Sequence, residues 1–113
     1  GTIDATLDTN KILLEKIGSQ VGKFEGSNVE IVEPVAIHES ARISNSKIGP
    51  FASIGANCMI ESSQISESIV EADCEIKDSA LNRSLIGRQA KVKGRGDGSV
   101  MQLNIGDTSS VSL

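Results

Sequence analysis

The sequence has no tryptophan, no tyrosine and only two phenylalanines, Phe24 and Phe51. A core hung on large aromatic anchors is excluded, so within a hydrophobic content of 38% the buried area must come from Ile, Val, Leu and Ala. Small β-branched side chains suit tightly stacked strands better than a helical bundle. Histidine occurs once, at His38, which excludes a three-His zinc site. The two cysteines, Cys58 and Cys74, form no metal or redox motif, and a reduced, cytoplasmic setting is the expectation. No stretch approaches the roughly 18 apolar residues of a membrane span, and no secretory signal is visible. Neither sign of charge dominates: 11 basic and 15 acidic residues are interspersed, with a net charge of −4. Phosphate backbones are held by clustered Lys and Arg, so no nucleic-acid partner is expected. The 113 residues suit one domain, and a start at Gly1 reads as other than the natural one.

What the chain does have is a repeat. From Ile31 an aliphatic residue recurs at Ile37, Ile43, Ile48, Ile54, Ile60, Ile65, Val70, Ile76, Leu81, Ile86 and Val92, with every step 5 or 6 residues. Two residues before many of these stands another side chain suited to the interior: Val35, Ala41, Ala52, Cys58, Cys74 and Ala90. Side chains two apart on a strand face the same way. Triplets such as Val35-Ala36-Ile37 and Ala52-Ser53-Ile54 therefore read as short strands with two residues in and one out. Gly, Pro, Asn, Ser and Asp between them are corner residues. Grouped by three, the coils begin at Ile31, Ile48, Ile65 and Leu81, repeating at 17, 17 and 16 residues. One buried column is then Ile37, Ile54, Val70 and Ile86, and the next is Ile43, Ile60, Ile76 and Val92. The fold expected is an all-β parallel β-helix of triangular section, with about four complete coils and a partial one. Gly94 to Ser99 interrupts it, and Ile105-Gly106-Asp107 and Val111 resume it.

The first residues differ. Leu7, Leu13 or Leu14, and Ile17 fall at helical spacing, with Asp4 or Thr6 as caps, and predict a helix from about residue 4 to 17. Gly18, Gly22 and Gly26 make residues 18–30 a linker or an irregular first strand. The β-helix is expected over 31–113.

Several motifs carry a family resemblance. Gly1-Thr2, Leu7, Asn10 and Leu13-Leu14 resemble the segment ending the catalytic domain of sugar-phosphate nucleotidyltransferases. Asn45-Ser46-Lys47-Ile48-Gly49-Pro50-Phe51-Ala52-Ser53-Ile54-Gly55, Glu67-Ser68-Ile69-Val70, Ser84-Leu85-Ile86-Gly87-Arg88 and Ile105-Gly106-Asp107 resemble the C-terminal hexapeptide-repeat domain of that family. The nearest likeness is to the long form of glucose-1-phosphate thymidylyltransferase. The resemblance implies a left-handed coil. It makes residues 1–17 a helix from the end of a catalytic domain that is not in this chain. It also implies a parent joining dTTP to glucose 1-phosphate with release of pyrophosphate. Such chemistry needs a Gly-rich loop followed by basic residues and acidic ligands for Mg²⁺. The family carries both in the catalytic domain, and neither is visible here. The expected role is non-catalytic, in assembly and stability. The expected partners are the catalytic domain itself and further copies, as a trimer or dimer packed through β-helix faces, with Phe51 as a contact.

The rival reading is an acetyl-CoA-dependent acyltransferase domain of a bifunctional nucleotidyltransferase, and a plain structural β-helix is a third. Acyltransferases on this fold use a His as general base, and His38 is the sole candidate. An ordinary surface His is the plainer account. Cys58 and Cys74 lie one coil apart and should stack between Ala41 and Ala90. Strands about 4.8 Å apart permit a disulfide in distance, but parallel side chains disfavour it, so two small buried hydrophobes are expected. Gly94 to Ser99 resembles a phosphate-cradling loop only weakly, because no helix follows it.

Overall fold

The computed structural model describes residues 2–113; Gly1, part of the Gly1-Thr2 pair, lies outside them. The chain opens with α1 (Ile3–Ile17), capped by Thr2, whose hydroxyl accepts the Ala5 N–H at 3.1 Å. The cap is therefore Thr2, in place of the expected Asp4 or Thr6. Thr6 instead lies inside the first turn, with its N–H bonded to the Thr2 carbonyl. Asp4 in the first turn and Lys16 in the last suit the helix dipole. Gly18, at φ 84°, ends the helix and donates its N–H to the Leu14 carbonyl.

Parallel strands then wind about five turns. The first turn holds β1 (Gln20–Val21) and β2 (Glu25–Ile31), and the second holds β3 (Val35–Ile37) and β4 (Arg42–Ile48). The third is β5 (Ala52–Ile54), β6 (Met59–Glu61) and β7 (Gln64–Ser66). The fourth is β8 (Ile69–Val70), β9 (Glu75–Lys77) and β10 (Ala80–Asn82). The fifth is β11 (Leu85–Ile86), β12 (Lys91–Lys93) and β13 (Val100–Met101), and β14 (Asn104–Ile105) with β15 (Ser110–Ser112) begins another. The stack has three faces. The first is β1-β3-β5-β8-β11-β14. The other two share one continuous sheet, because β2 and β4 bend round a corner at Asn28 and Asn45, both left-handed. Residues 42–44 of β4 pair with β6 on the second face, and Lys47 and Ile48 pair with β7 on the third.

The expected columns are present. Ile37, Ile54, Val70 and Ile86 stack in register on the first face, and Ile43, Ile60, Ile76 and Val92 on the second. All eight are buried. The repeat begins one turn earlier than Ile31, so residues 18–30 are the first turn of the stack. Its glycines concealed it. Gly26 fills the inward place opposite Ile43, and the Phe24 ring occupies the space a side chain there would take. Phe24 is half-buried and packs on the core at this end.

Five serines that the repeat pattern places at corners are buried. Ser46, Ser63 and Ser79 form one internal ladder, and Ser68 and Ser84 another. Each hydroxyl donates to the carbonyl two residues back, and all but that of Ser79 accept an N–H from the next turn: Ser63 donates to the Glu61 carbonyl at 2.8 Å and accepts the Ser79 N–H at 3.2 Å. An unpaired buried hydroxyl would cost about 1–3 kcal/mol. Among the described residues no buried side-chain nitrogen or oxygen lacks a partner.

Candidate functional site: a clasped face, a bare face and the corner of His38

The helix lies on the outer side of the first face. On that face the residues that alternate with the inward column point out: Ala36, Ser53, Ile69 and Leu85. Ser53 Oγ donates to Asn10 Oδ1 at 2.8 Å, and Leu7 and Leu14 of α1 are buried. Lys11 bonds Glu67 at 3.4 Å and stands 4.7 Å over the Phe51 ring. Arg83 reaches Asp4 at 2.9 Å and Asp8 at 3.0 Å. The later turns thus hold the start of the helix, and the earlier turns its middle. At about 1.5 Å per residue, α1 runs back along the stack for nearly its full height.

Phe51, Glu67 and Arg83 occupy the same corner in successive turns, at φ 61°, 49° and 50°. Left-handed backbone costs an ordinary residue roughly 1–2 kcal/mol, and Asn or Asp tolerate it best. The equivalent corner beyond the second face follows that preference with Asn28, Asn45, Ser62 and Asp78. The clasping corner departs from it and puts three long side chains against the helix. The sequence held this signal in three unsuited residues at repeat-equivalent positions. Phe51, the expected contact for another copy, is half-buried with Lys11 over its ring.

The second face has no cover. Its outward side chains form two rows: Glu25, Arg42, Met59, Glu75, Lys91 and Ser110, and beside them Ser27, Ser44, Glu61, Lys77, Lys93 and Ser112. Neighbouring turns pair charges, with Lys91 at 3.5 Å from Glu75 and Lys77 at 4.0 Å from Glu61.

His38 is exposed at the corner after β3. An open groove of about 510 Å³ runs beside it, lined in part by Val21, Gly22, Ile37 and Glu39. Its Nδ1 accepts the Ser40 N–H at 3.1 Å and lies 2.7 Å from Ser40 Oγ, which itself accepts the Asn57 N–H. With Nδ1 an acceptor, the proton of a neutral ring sits on Nε2. A base acting through Nε2 needs the opposite tautomer, with Nδ1–H held by a carbonyl or carboxylate.

Cys58 and Cys74 are free and fully buried, stacked between Ala41 and Ala90. Their thiols donate to the Glu71 and Gly87 carbonyls at 3.0 and 2.9 Å. The neighbouring Cys58 thiol and then burial hold Cys74 protonated, far above its ordinary range. The excursion at Gly94 to Ser99 spends its N–H groups internally: Gly96 donates to the Asp78 carbonyl and Ser99 to the Asp97 carboxylate. Among the described residues no three His, Cys, Asp or Glu side chains gather as a metal site. Among them too, no helix is long and apolar enough to cross a membrane.

Inward aliphatic rows, serine ladders, left-handed corners and a helix clasped to one face define a class: the hexapeptide-repeat β-helix, here without a convergent reactive cluster among the described residues. Residues 31–100 match the GMPPB C-terminal domain, and the chain belongs to that family. The resemblance to C-terminal domains of sugar-phosphate nucleotidyltransferases is thereby shown. The chain is 42% identical over 69 residues to a probable mannose-1-phosphate guanyltransferase of Schizosaccharomyces pombe, covering 58% of this chain and 17% of that protein. It is 31% identical over 90 residues to a glucose-1-phosphate thymidylyltransferase of Streptomyces griseus, covering 79% of this chain and 25% of that protein. For the enzyme of the same name from Streptomyces antibioticus the match is 34% over 95 residues, covering 80% and 25%. The chain thus spans a quarter or less of the length of these curated relatives. No solved structure matches it.

Proposed function

We propose that this chain is the non-catalytic assembly and stability domain of a sugar-1-phosphate nucleotidyltransferase. The observation that carries the reading is the family match across residues 31–100, the repeat itself. The fold adds support, because its reactive side chains are dispersed: the one imidazole is an exposed corner group bonded to Ser40, and both thiols are interior. Nucleotidyl transfer and its Mg²⁺ belong to the catalytic portion of the parent. Two relatives favour dTTP and glucose 1-phosphate as the parent's substrates, giving dTDP-glucose. A third carries the name of a guanyl transferase on the same repeat, so the repeat does not select the base.

In the parent, this domain packs against the catalytic portion and against further copies, as a trimer or dimer formed through β-helix faces. Exposed apolar side chains at the ends of the stack, Ile17 and Val21 at one and Val100 and Leu113 at the other, suit the contact with the catalytic portion. The test is a pair of assays. The chain alone should release no pyrophosphate from dTTP or GTP with glucose 1-phosphate or mannose 1-phosphate. The full-length parent should lose assembly and thermal stability when this domain is removed. Turnover by the purified chain, or a truncated parent with unchanged assembly and melting, defeats the proposal. Acetyl transfer from acetyl-CoA that is abolished by His38→Ala would install the acyltransferase reading instead.

A further inference from the structure

The first face lies under α1, and the third presents a row of Glu30, Lys47, Gln64, the buried Ala80 and Val100, with Ser66 and Asn82 bonded to each other beside it. The second face alone offers a bare row whose charges have a symmetry. Taken up the stack, Glu25, Arg42, Met59, Glu75 and Lys91 run acid, base, apolar, acid, base. Turned end for end about Met59, the row opposes every charge with its opposite, and only the uncharged Ser110, next beyond Lys91, is left without a counterpart. We infer that this face is the contact for a second copy of the chain, related by a two-fold axis along the strands at Met59. Resting on the self-association proposed above, the inference names its surface and its direction.

A two-fold axis along the strands keeps each row facing itself and reverses the stack. Glu25 of each copy then meets Lys91 of the other, Arg42 meets Glu75, and Met59 meets Met59. Facing sheets stand about 10 Å apart, a gap that long side chains of this kind span. In the companion row Ser27 and Ser44 meet Lys93 and Lys77. The two Glu61 carboxylates meet at the axis, each beside its own Lys77 at 4.0 Å. The alternative axis, parallel to the stack, sets Lys91 against Lys93 and keeps only Glu75 with Lys77 as an acid-base pair. Reversing the third face about Gln64 puts Glu30 on Val100 and Lys47 on Ala80, with no charge matched. The second face covers about 24 by 10 Å, well short of the roughly 800 Å² per partner of a stable complex. The contact is therefore weak in isolation and sensitive to salt.

Sedimentation equilibrium of the whole chain, carried to about 1 mM, reads the inference. The wild type should dimerise, less so in high salt. Lys91→Glu and Glu25→Lys should each weaken the dimer about tenfold, and the double change should recover it. Within one chain the two residues are four turns apart, about 19 Å, beyond the screening length of about 8 Å at physiological salt. Recovery therefore requires that they meet between copies. Both side chains are exposed, so melting curves should be unchanged and serve as the folding control. A trimer, or a dimer indifferent to these changes, removes this face but leaves self-association standing. Single effects without recovery overturn the antiparallel register. A monomer throughout overturns both this inference and the self-association on which it rests.

Discussion

The clasped first face and the bare second face have nearly the same inside. One stacks Ile37, Ile54, Val70 and Ile86, and the other Ile43, Ile60, Ile76 and Val92, all at most 3% exposed. Their outsides share little. One shows Ala36, Ser53, Ile69 and Leu85 to a helix, and the other shows Glu25, Arg42, Met59, Glu75 and Lys91 to solvent. On the first face a three-residue strand such as Val35–Ile37 turns two side chains in and one out, and on the second a strand such as Met59–Glu61 turns one in and two out. The inward residues fix the coil, and the outward ones decide what each face meets.

The equality of the interiors can be broken directly. Ile54→Ala and Ile60→Ala remove the same side chain from equivalent turns of the two faces, each fully enclosed. Burial at this depth predicts a loss of about 3 kcal/mol for each, within the usual 2–5 for such truncations. Urea denaturation of the two variants should give matching midpoints. A gap above about 1.5 kcal/mol, half the expected loss, would mean that the helix or the bare face contributes to the interior after all.

The interior was the part most legible in the sequence, because a coil with one inward aliphatic per strand writes its period into the chain. The serine ladders were missed for a physical reason. Ser46, Ser63 and Ser79 hold inward places, yet serine is also a common corner residue, and only the pairing with the next turn tells the two apart. The first turn was obscured because Gly26 leaves an inward place empty and lends it to Phe24. The clasp was half visible. Of Leu7, Leu13 or Leu14, and Ile17 at helical spacing, Leu7 and Leu14 are buried while Leu13 and Ile17 are exposed, and the helix's seat on Phe51, Glu67 and Arg83 needed the corner columns in three dimensions. The charge symmetry of the second face stood in the sequence throughout, but it has no meaning until Glu25 and Lys91 are known to share a row.

The outward residues should separate the two faces more modestly. Leu7, on the helix that lies over the first face, is 2% exposed. Leu7→Ala should cost about 2 kcal/mol, the low end for buried leucine, because α1 can loosen without opening the coil. Met59→Ala on the bare face should change stability by no more than about 0.5 kcal/mol in the monomer. Thermal melts at low protein concentration compare them. Equal losses would show that the second face is as covered as the first.

The smallest effect belongs to Arg83, which joins Asp4 and Asp8 across 2.9 and 3.0 Å. Both carboxylates are largely exposed, and pairs of this kind are screened and contribute little to global stability. Arg83→Ala should leave the unfolding midpoint unchanged within error. Its loss leaves two carboxylates one helical turn apart with no cation between them, where like charges repel. Hydrogen exchange should therefore quicken at the α1 amides from Thr6 onward, while the amides of Ile54 and Ile60 keep their protection. Salt added to the wild type should reproduce part of that change, and Lys91→Ala on the bare face should leave α1 untouched. If Arg83→Ala instead lowers protection in the strands as much as in the helix, α1 and the coil open as one unit. The clasped face would then be part of the core, and the two faces would differ in more than their outward residues.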